Sequence, residues 1–96
     1  MTIFVLKNEG YDFFKEKKIT NRQIEIITAF INTTTHKDSA EKLFICLKTV
    51  KQHFYNIYKK LNVKNNIQLI ILVYDLYERV KVENKNELPR GENEKK

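Results

Sequence analysis

Lys48, Lys51, Gln52, Tyr55 and Lys59 recur at i, i+3, i+4, i+7 and i+11, a spacing that gathers them on one side of a helix. Each has a use at a nucleic-acid surface. Lysine donates to guanine edges or phosphates, glutamine can hold adenine bidentately, and tyrosine can donate to a phosphate or pack on a thymine methyl. No carboxylate intrudes. Between Glu41 and Asp75 the chain has no acidic residue, whereas Lys42, Lys48, Lys51, Lys59, Lys60 and Lys64 all fall there. The formal net charge is +6, yet the segment from Glu83 to Lys96 carries four acids and four bases and is neutral. Basic charge concentrated in the centre is the footprint of a polyanion-binding surface. The plainer reading is a solvated lysine face without a partner.

Other chemistries find little support. One cysteine, Cys46, excludes an intrachain disulfide and a cysteine-based metal frame. His36, Asp38 and Cys46 show no known ligand spacing, so neither a metal nor a cofactor is expected. Cys46 reads as a small residue filling a tight turn rather than a redox switch, and His53 as a half-buried packing residue. There is no phosphate-cradling glycine loop, no paired carboxylates in an apolar setting and no nucleophile beside either histidine, so the chain is not expected to be an enzyme. Its longest apolar run, Leu69 to Tyr74, is six residues against the ~20 needed to cross a bilayer. With no export signal at its start, a cytoplasmic protein without membrane contact is expected.

The elements that must carry the basic face can be placed from periodicity and caps. Ninety-six residues with two Gly and one Pro favour one small helical domain. Ile3, Phe4, Val5 and Leu6 form either a short strand or a helical turn, and Tyr11 to Lys18 a short helix anchored by Phe13 and Phe14. Thr20 and Gln23 have capping-box spacing ahead of a helix over 21–32, whose stripe is Ile24, Ile27 and Ile31, widened by Ile26 and Phe30. Thr35 can cap a helix over 36–44, with Asp38 in its first turn and Ala40, Leu43 and Phe44 facing inward. Ile45 and Cys46 make a turn. A helix over 47–61 then places Val50, Phe54, Ile57 and Leu61 on one apolar face, opposite the basic one. Asn62 suits the left-handed residue that ends it. Asn65 or Asn66 caps a last helix to about Val82.

The pair of helices around that turn is a helix-turn-helix candidate, and its residues are recognisable. Thr49-Val50-Lys51-Gln52-His53, then Asn56-Ile57 and Lys60-Leu61-Asn62-Val63, closely resembles the LuxR/GerE-type signature Thr-Val-Lys-x-His-x-x-Asn-Ile-x-x-Lys-Leu-Gly-Val. Ile19-Thr20-x-Arg22-Gln23 is similar to the family's Leu-Thr-x-Arg-Glu, and Lys37-Asp38-x-Ala40-x-x-Leu43-x-Ile45 to its Lys-Glu-Ile-Ala-x-x-Leu-x-Ile. The match runs from Ile19 to Leu76. The resemblance implies an all-α, four-helix DNA-binding domain over 19–82, preceded by an N-terminal extension (1–18), and the polar composition beyond Glu83 predicts a disordered tail (83–96). The resemblance also implies a regulator of transcription, and 96 residues are expected to leave no room for an attached receiver or sensing domain. By motif position Lys51, Gln52 and Tyr55 would meet bases, while Lys48, Thr49, Asn56, Lys59, Lys60, Thr35 and Lys37 would hold the DNA backbone.

Departures from the family pattern carry expectations of their own. Thr33 stands where the family has glycine, so that turn should be longer or strained if it still requires positive φ. Ser39 replaces a buried isoleucine, a loss of packing that Phe44 could offset. Cys46 replaces the serine that caps the reading helix, Asn62 a glycine, and Asn66 an arginine near the DNA backbone. The last helix is apolar nearly all round, from Ile67 to Val80, where a helix packed on one side would show one stripe. A homodimer through Leu69, Leu72, Val73, Leu76 and Tyr77 is expected to cover the surplus, in preference to Phe4, Phe13 and Phe14 alone. The competing function is a module that uses the same fold to bind RNA polymerase, a sigma factor or another regulator without reading bases.

Overall fold

Short polar side chains fix where the central helices begin. At α2 (Asn21–Thr33) the Thr20 hydroxyl accepts from the Gln23 backbone N–H (3.1 Å) and Gln23 Oε1 accepts from the Thr20 N–H (3.0 Å), so two orphan donors of the first turn are satisfied reciprocally. Thr35 caps α3 (His36–Leu43) by accepting from the Asp38 N–H, and Asn65 caps α5 (Asn66–Val73) by accepting from the Gln68 N–H. Between them α4 spans Leu47–Leu61 and ends on Asn62, whose φ of 58° is the left-handed conformation the sequence predicts there. The computed structural model describes residues 2–81. The tail expected over 83–96, and Val82, lie outside them.

Two features depart from a purely helical reading. The first residues form a strand, β1 (Thr2–Leu6), followed by helix α1 (Asn8–Glu16). The last helix stops at Val73, passes through a 3-10 turn over Tyr74–Leu76, and becomes strand β2 (Tyr77–Lys81). β1 and β2 pair antiparallel, from Thr2 opposite Lys81 to Leu6 opposite Tyr77. The mostly helical fold therefore carries a small two-stranded sheet that clasps its two ends together. Asn32 of α2 extends the clasp by accepting from the Phe4 N–H (2.8 Å) and donating to the Phe4 carbonyl (3.1 Å). Gly10 is required beneath it. A Cβ there would lie 2.7 Å from a Leu6 methyl and 2.9 Å from both the Leu76 Cβ and its carbonyl oxygen.

One core joins all of this. Phe14, Ile19, Ile26, Ile27, Phe30, Val50, Phe54, Ile57, Leu69, Val73 and Tyr77 belong to a single buried cluster. The apolar surface of the last helix and the residues after it divides: Leu69 and Val73 are fully buried and Tyr77 nearly so, its hydroxyl 2.7 Å from the Thr28 hydroxyl, whereas Ile67, Ile71, Leu72 and Tyr74 are exposed. Burial pushes the Tyr77 phenol up to about 12, against the opposing pull of that hydrogen bond.

Phe44 does not face inward as expected. It is the left-handed residue that ends α3 (φ 58°) and is 94% exposed, because that backbone conformation turns its Cβ away from the helix's apolar side. Ser39 does not leave the packing defect that its replacement of an apolar residue suggests. It is fully buried, and its hydroxyl donates to the Thr35 carbonyl (2.8 Å) and lies 3.0 Å from the Thr33 hydroxyl. The positive φ that ends α2 falls on Thr34 (69°), one residue beyond the position expected from the family's glycine.

Candidate nucleic-acid interface

α4 is held to the core by one face and leaves the other open. Val50, Phe54 and Ile57 are buried to within 1% of completely, and Leu61 closes the same row. The Phe54 ring packs edge-on to Phe30 (5.3 Å between centroids) and lies 4.6 Å from the His36 ring. These contacts fix the helix about its own axis, so the opposite residues must project outward. Lys48, Lys51 and Gln52 are exposed, and Tyr55 is 56% exposed. Together with Leu47 they line one shallow groove. The structure therefore brings together the three residues expected at bases and one of those expected at the backbone. It adds Leu47, whose residue type suggests the core but whose side chain is 37% exposed along the groove.

The remaining expected contacts divide. Thr49 and Lys59 are exposed beside the groove, and Asn56 is half-buried. The Lys59 ammonium sits 4.6 Å from the centre of the Tyr55 ring, a cation–π contact that orders both side chains. Thr35 and Lys37 lie at the start of α3, exposed, with the Thr35 hydroxyl already committed as a cap. Lys60 departs from expectation. Its ammonium donates to the Lys18 carbonyl (2.7 Å) and to Gln23 Oε1 (3.0 Å), so it ties the end of α4 to the start of α2. Its positive charge invited the DNA assignment. Its partner, a backbone carbonyl 42 residues away, leaves no trace in composition.

At the helix start, Cys46 occupies the cap position with its Sγ 3.1 Å from the Thr49 hydroxyl. That hydrogen bond, and then the nearby backbone N–H groups of the first turn, hold the exposed thiol below its usual range, against an opposing effect of burial. His36 is half-buried against Phe30 and Phe54, with Nε2 buried and unpartnered. Burial, and then the nearby Lys51 charge, pull its pKa below 6.5. Among the described residues no cluster of His, Cys, Asp or Glu could hold a metal ion.

This two-faced helix has counterparts in known proteins. The family described as bacterial regulatory proteins, luxR family (GerE), matches residues 17–73. The chain belongs to that family. The luxR-family match covers α2 to α5, the helix-turn-helix DNA-binding domain, and the family is one of transcriptional regulators rather than enzymes. Among its relatives are the transcriptional regulatory protein LiaR of Bacillus subtilis, 33% identical over 69 residues covering 72% of this chain and 33% of LiaR. The CsgBAC operon transcriptional regulatory protein of Escherichia coli is 35% identical over 63 residues, 66% of this chain and 29% of that protein. The spore germination protein GerE of Bacillus subtilis is 33% identical over 60 residues, covering 62% of this chain and 81% of GerE. The chain spans about a third of the length of LiaR and of the CsgBAC regulator. No solved structure matches it. β1, α1 and β2 lie outside the family match.

Proposed function

We propose that the chain is a sequence-specific DNA-binding regulator of transcription that acts in the cytoplasm by inserting α4 into the major groove of duplex DNA. The observation that carries this reading is the division of α4 itself. One face is locked into the core by Val50, Phe54 and Ile57. The other presents Lys48, Lys51, Gln52 and Tyr55 along one groove, on a stretch of chain without a carboxylate from residue 42 to residue 74. Lys51, Gln52 and Tyr55 meet bases, while Lys48, Thr49, Lys59 and Lys37 hold the backbone. Binding weakens with salt at roughly −0.9 in log–log slope for each phosphate neutralised. Selection of bound sites from random genomic duplex tests the reading: one enriched motif supports it. Unchanged binding of Lys51→Ala and Gln52→Ala on every sequence would overturn the reader assignment.

The regulator binds two half-sites as a homodimer through α5, but of the residues that the sequence nominates only Leu72 is exposed. Leu69, Val73 and Tyr77 are buried in their own protomer. The available row is Ile67 (68% exposed), Ile71 (72%) and Tyr74, with Leu72 beside it. An eight-residue helix is ~12 Å long and offers well under the ~800 Å² per partner of a standard interface, so pairing depends on adjacent half-sites. Light scattering of the saturated complex on a two-half-site duplex checks this. A mass of one protomer per duplex would sink it.

A second reading draws on Phe44. A fully projecting aromatic beside the helix-turn-helix suits a protein partner such as RNA polymerase, a sigma factor or another regulator. Absence of any shift with genomic duplex, at low salt, favours that interaction module over the DNA reader.

A further inference from the structure

Leu47 is the first residue of α4 and is 37% exposed, while Val50, Phe54 and Ile57 of the same helix are buried to within 1% of completely. It is not part of the core. It begins the row Leu47, Lys51, Tyr55, Lys59, each four residues apart, and it lines the same groove as Lys48, Lys51, Gln52 and Tyr55. Recognition helices present their N-terminal residues to base edges, so Leu47 occupies the end of α4 that goes deepest. A leucine there cannot donate or accept. Of the four bases, only thymine offers an apolar group in the major groove, its C5-methyl.

We infer that Leu47 is a specificity-determining residue, reading a thymine methyl next to the bases read by Lys51 and Gln52. This rests on the proposed insertion of α4 into the major groove and extends it to a residue with no polar group. Four residues of helix advance ~6 Å, and base pairs are ~3.4 Å apart along the duplex. The thymine therefore lies within about two base pairs of the one that Lys51 contacts. Lys48 follows Leu47 directly and sits in the same groove, which leaves a methyl contact flanked by donors.

The test uses the full chain on its selected site, with each thymine replaced singly by deoxyuridine, which removes only the C5-methyl. At one thymine per half-site the wild-type protein should lose about fourfold in affinity, the equivalent of ~0.8 kcal/mol for one buried methyl-sized group. Leu47→Ala should bind the thymine and deoxyuridine duplexes there within 1.5-fold of each other, and Leu47→Gln, which keeps the length, should do the same. Each comparison is made within one variant, so a loss of folding stability cancels. A deoxyuridine penalty that persists in both variants, or that appears at no thymine for the wild type, overturns the inference while leaving the DNA reader intact. A wild-type protein that enriches no motif at all refutes the underlying reading instead.

Discussion

The four helices from α2 to α5 and the terminal clasp of β1, α1 and β2 share one core but are held by different forces. The helices are held by apolar side chains at helical spacing, and α2, α3 and α5 are begun by local side-chain caps. The clasp is held by backbone pairing between residues about 75 positions apart, by an asparagine reaching across from α2, and by a glycine that lets two segments touch. Damage to the first should spread through the whole domain, and damage to the second should stay local.

The sharpest test of that contrast is Phe54→Ala. Removing a fully buried ring that packs on Phe30 and His36 should cost ~3–5 kcal/mol in urea unfolding. DNA binding should fall with it, since α4 loses its anchor. A loss below ~1 kcal/mol would break the comparison. Next comes Gly10→Val, which drives a side chain against Leu6 and Leu76 and should cost ~1–3 kcal/mol. Amide exchange should quicken in Ile3–Leu6 and Tyr77–Val80, with α4 amides unchanged. Equal quickening in α4 would show the clasp and helices to be one cooperative unit.

Lys60 sharpens the contrast within the helices themselves. Lys60→Met should cost on the order of 1 kcal/mol of stability, as a charge-assisted bond at a partly exposed site is lost. It should leave the salt slope of DNA binding unaltered. Lys48→Ala, by contrast, should flatten that slope by ~0.9. A flatter slope for Lys60→Met would return its ammonium to the DNA backbone.

The smallest effect expected is that of His36. Its folded pKa lies below 6.5, so as the pH falls the unfolded chain takes up the proton first. Its contribution to stability is complete above about 6.5 and is lost as the pH drops through the lower folded value. Lys51 is the charged group that adds to burial there; Phe30 and Phe54 supply the aromatic walls. The urea midpoint of His36→Gln should vary less between pH 5 and 7 than that of the wild type, and an identical profile would remove His36 from the account.

How much of this was legible follows the same division. The Thr20–Gln23 capping box, the Thr35 and Asn65 caps and both faces of α4 were readable, because each depends on residues within a few turns of one another. β2 was not. Tyr77 and Val80 continue an apolar run that begins in a real helix, and only a partner strand near the start of the chain makes them extended. For Phe44 the residue type implies burial while the left-handed backbone conformation accompanies nearly full exposure. Lys60 carries a charge that suggests a DNA ligand, while its carbonyl partner 42 residues away leaves no local signal, and Leu47 has the residue type of a core position on a face that is otherwise polar.

The clasp has a mechanical consequence. Thr2 lies directly opposite Lys81 at the open end of the ladder, so tension applied across those two points peels the strands apart one rung at a time rather than shearing every rung together. Such a geometry yields at low force. The ends of the domain can be prised open while the buried aromatic centre of α2, α3 and α4 stays closed, a weak seam sewn to a strong one.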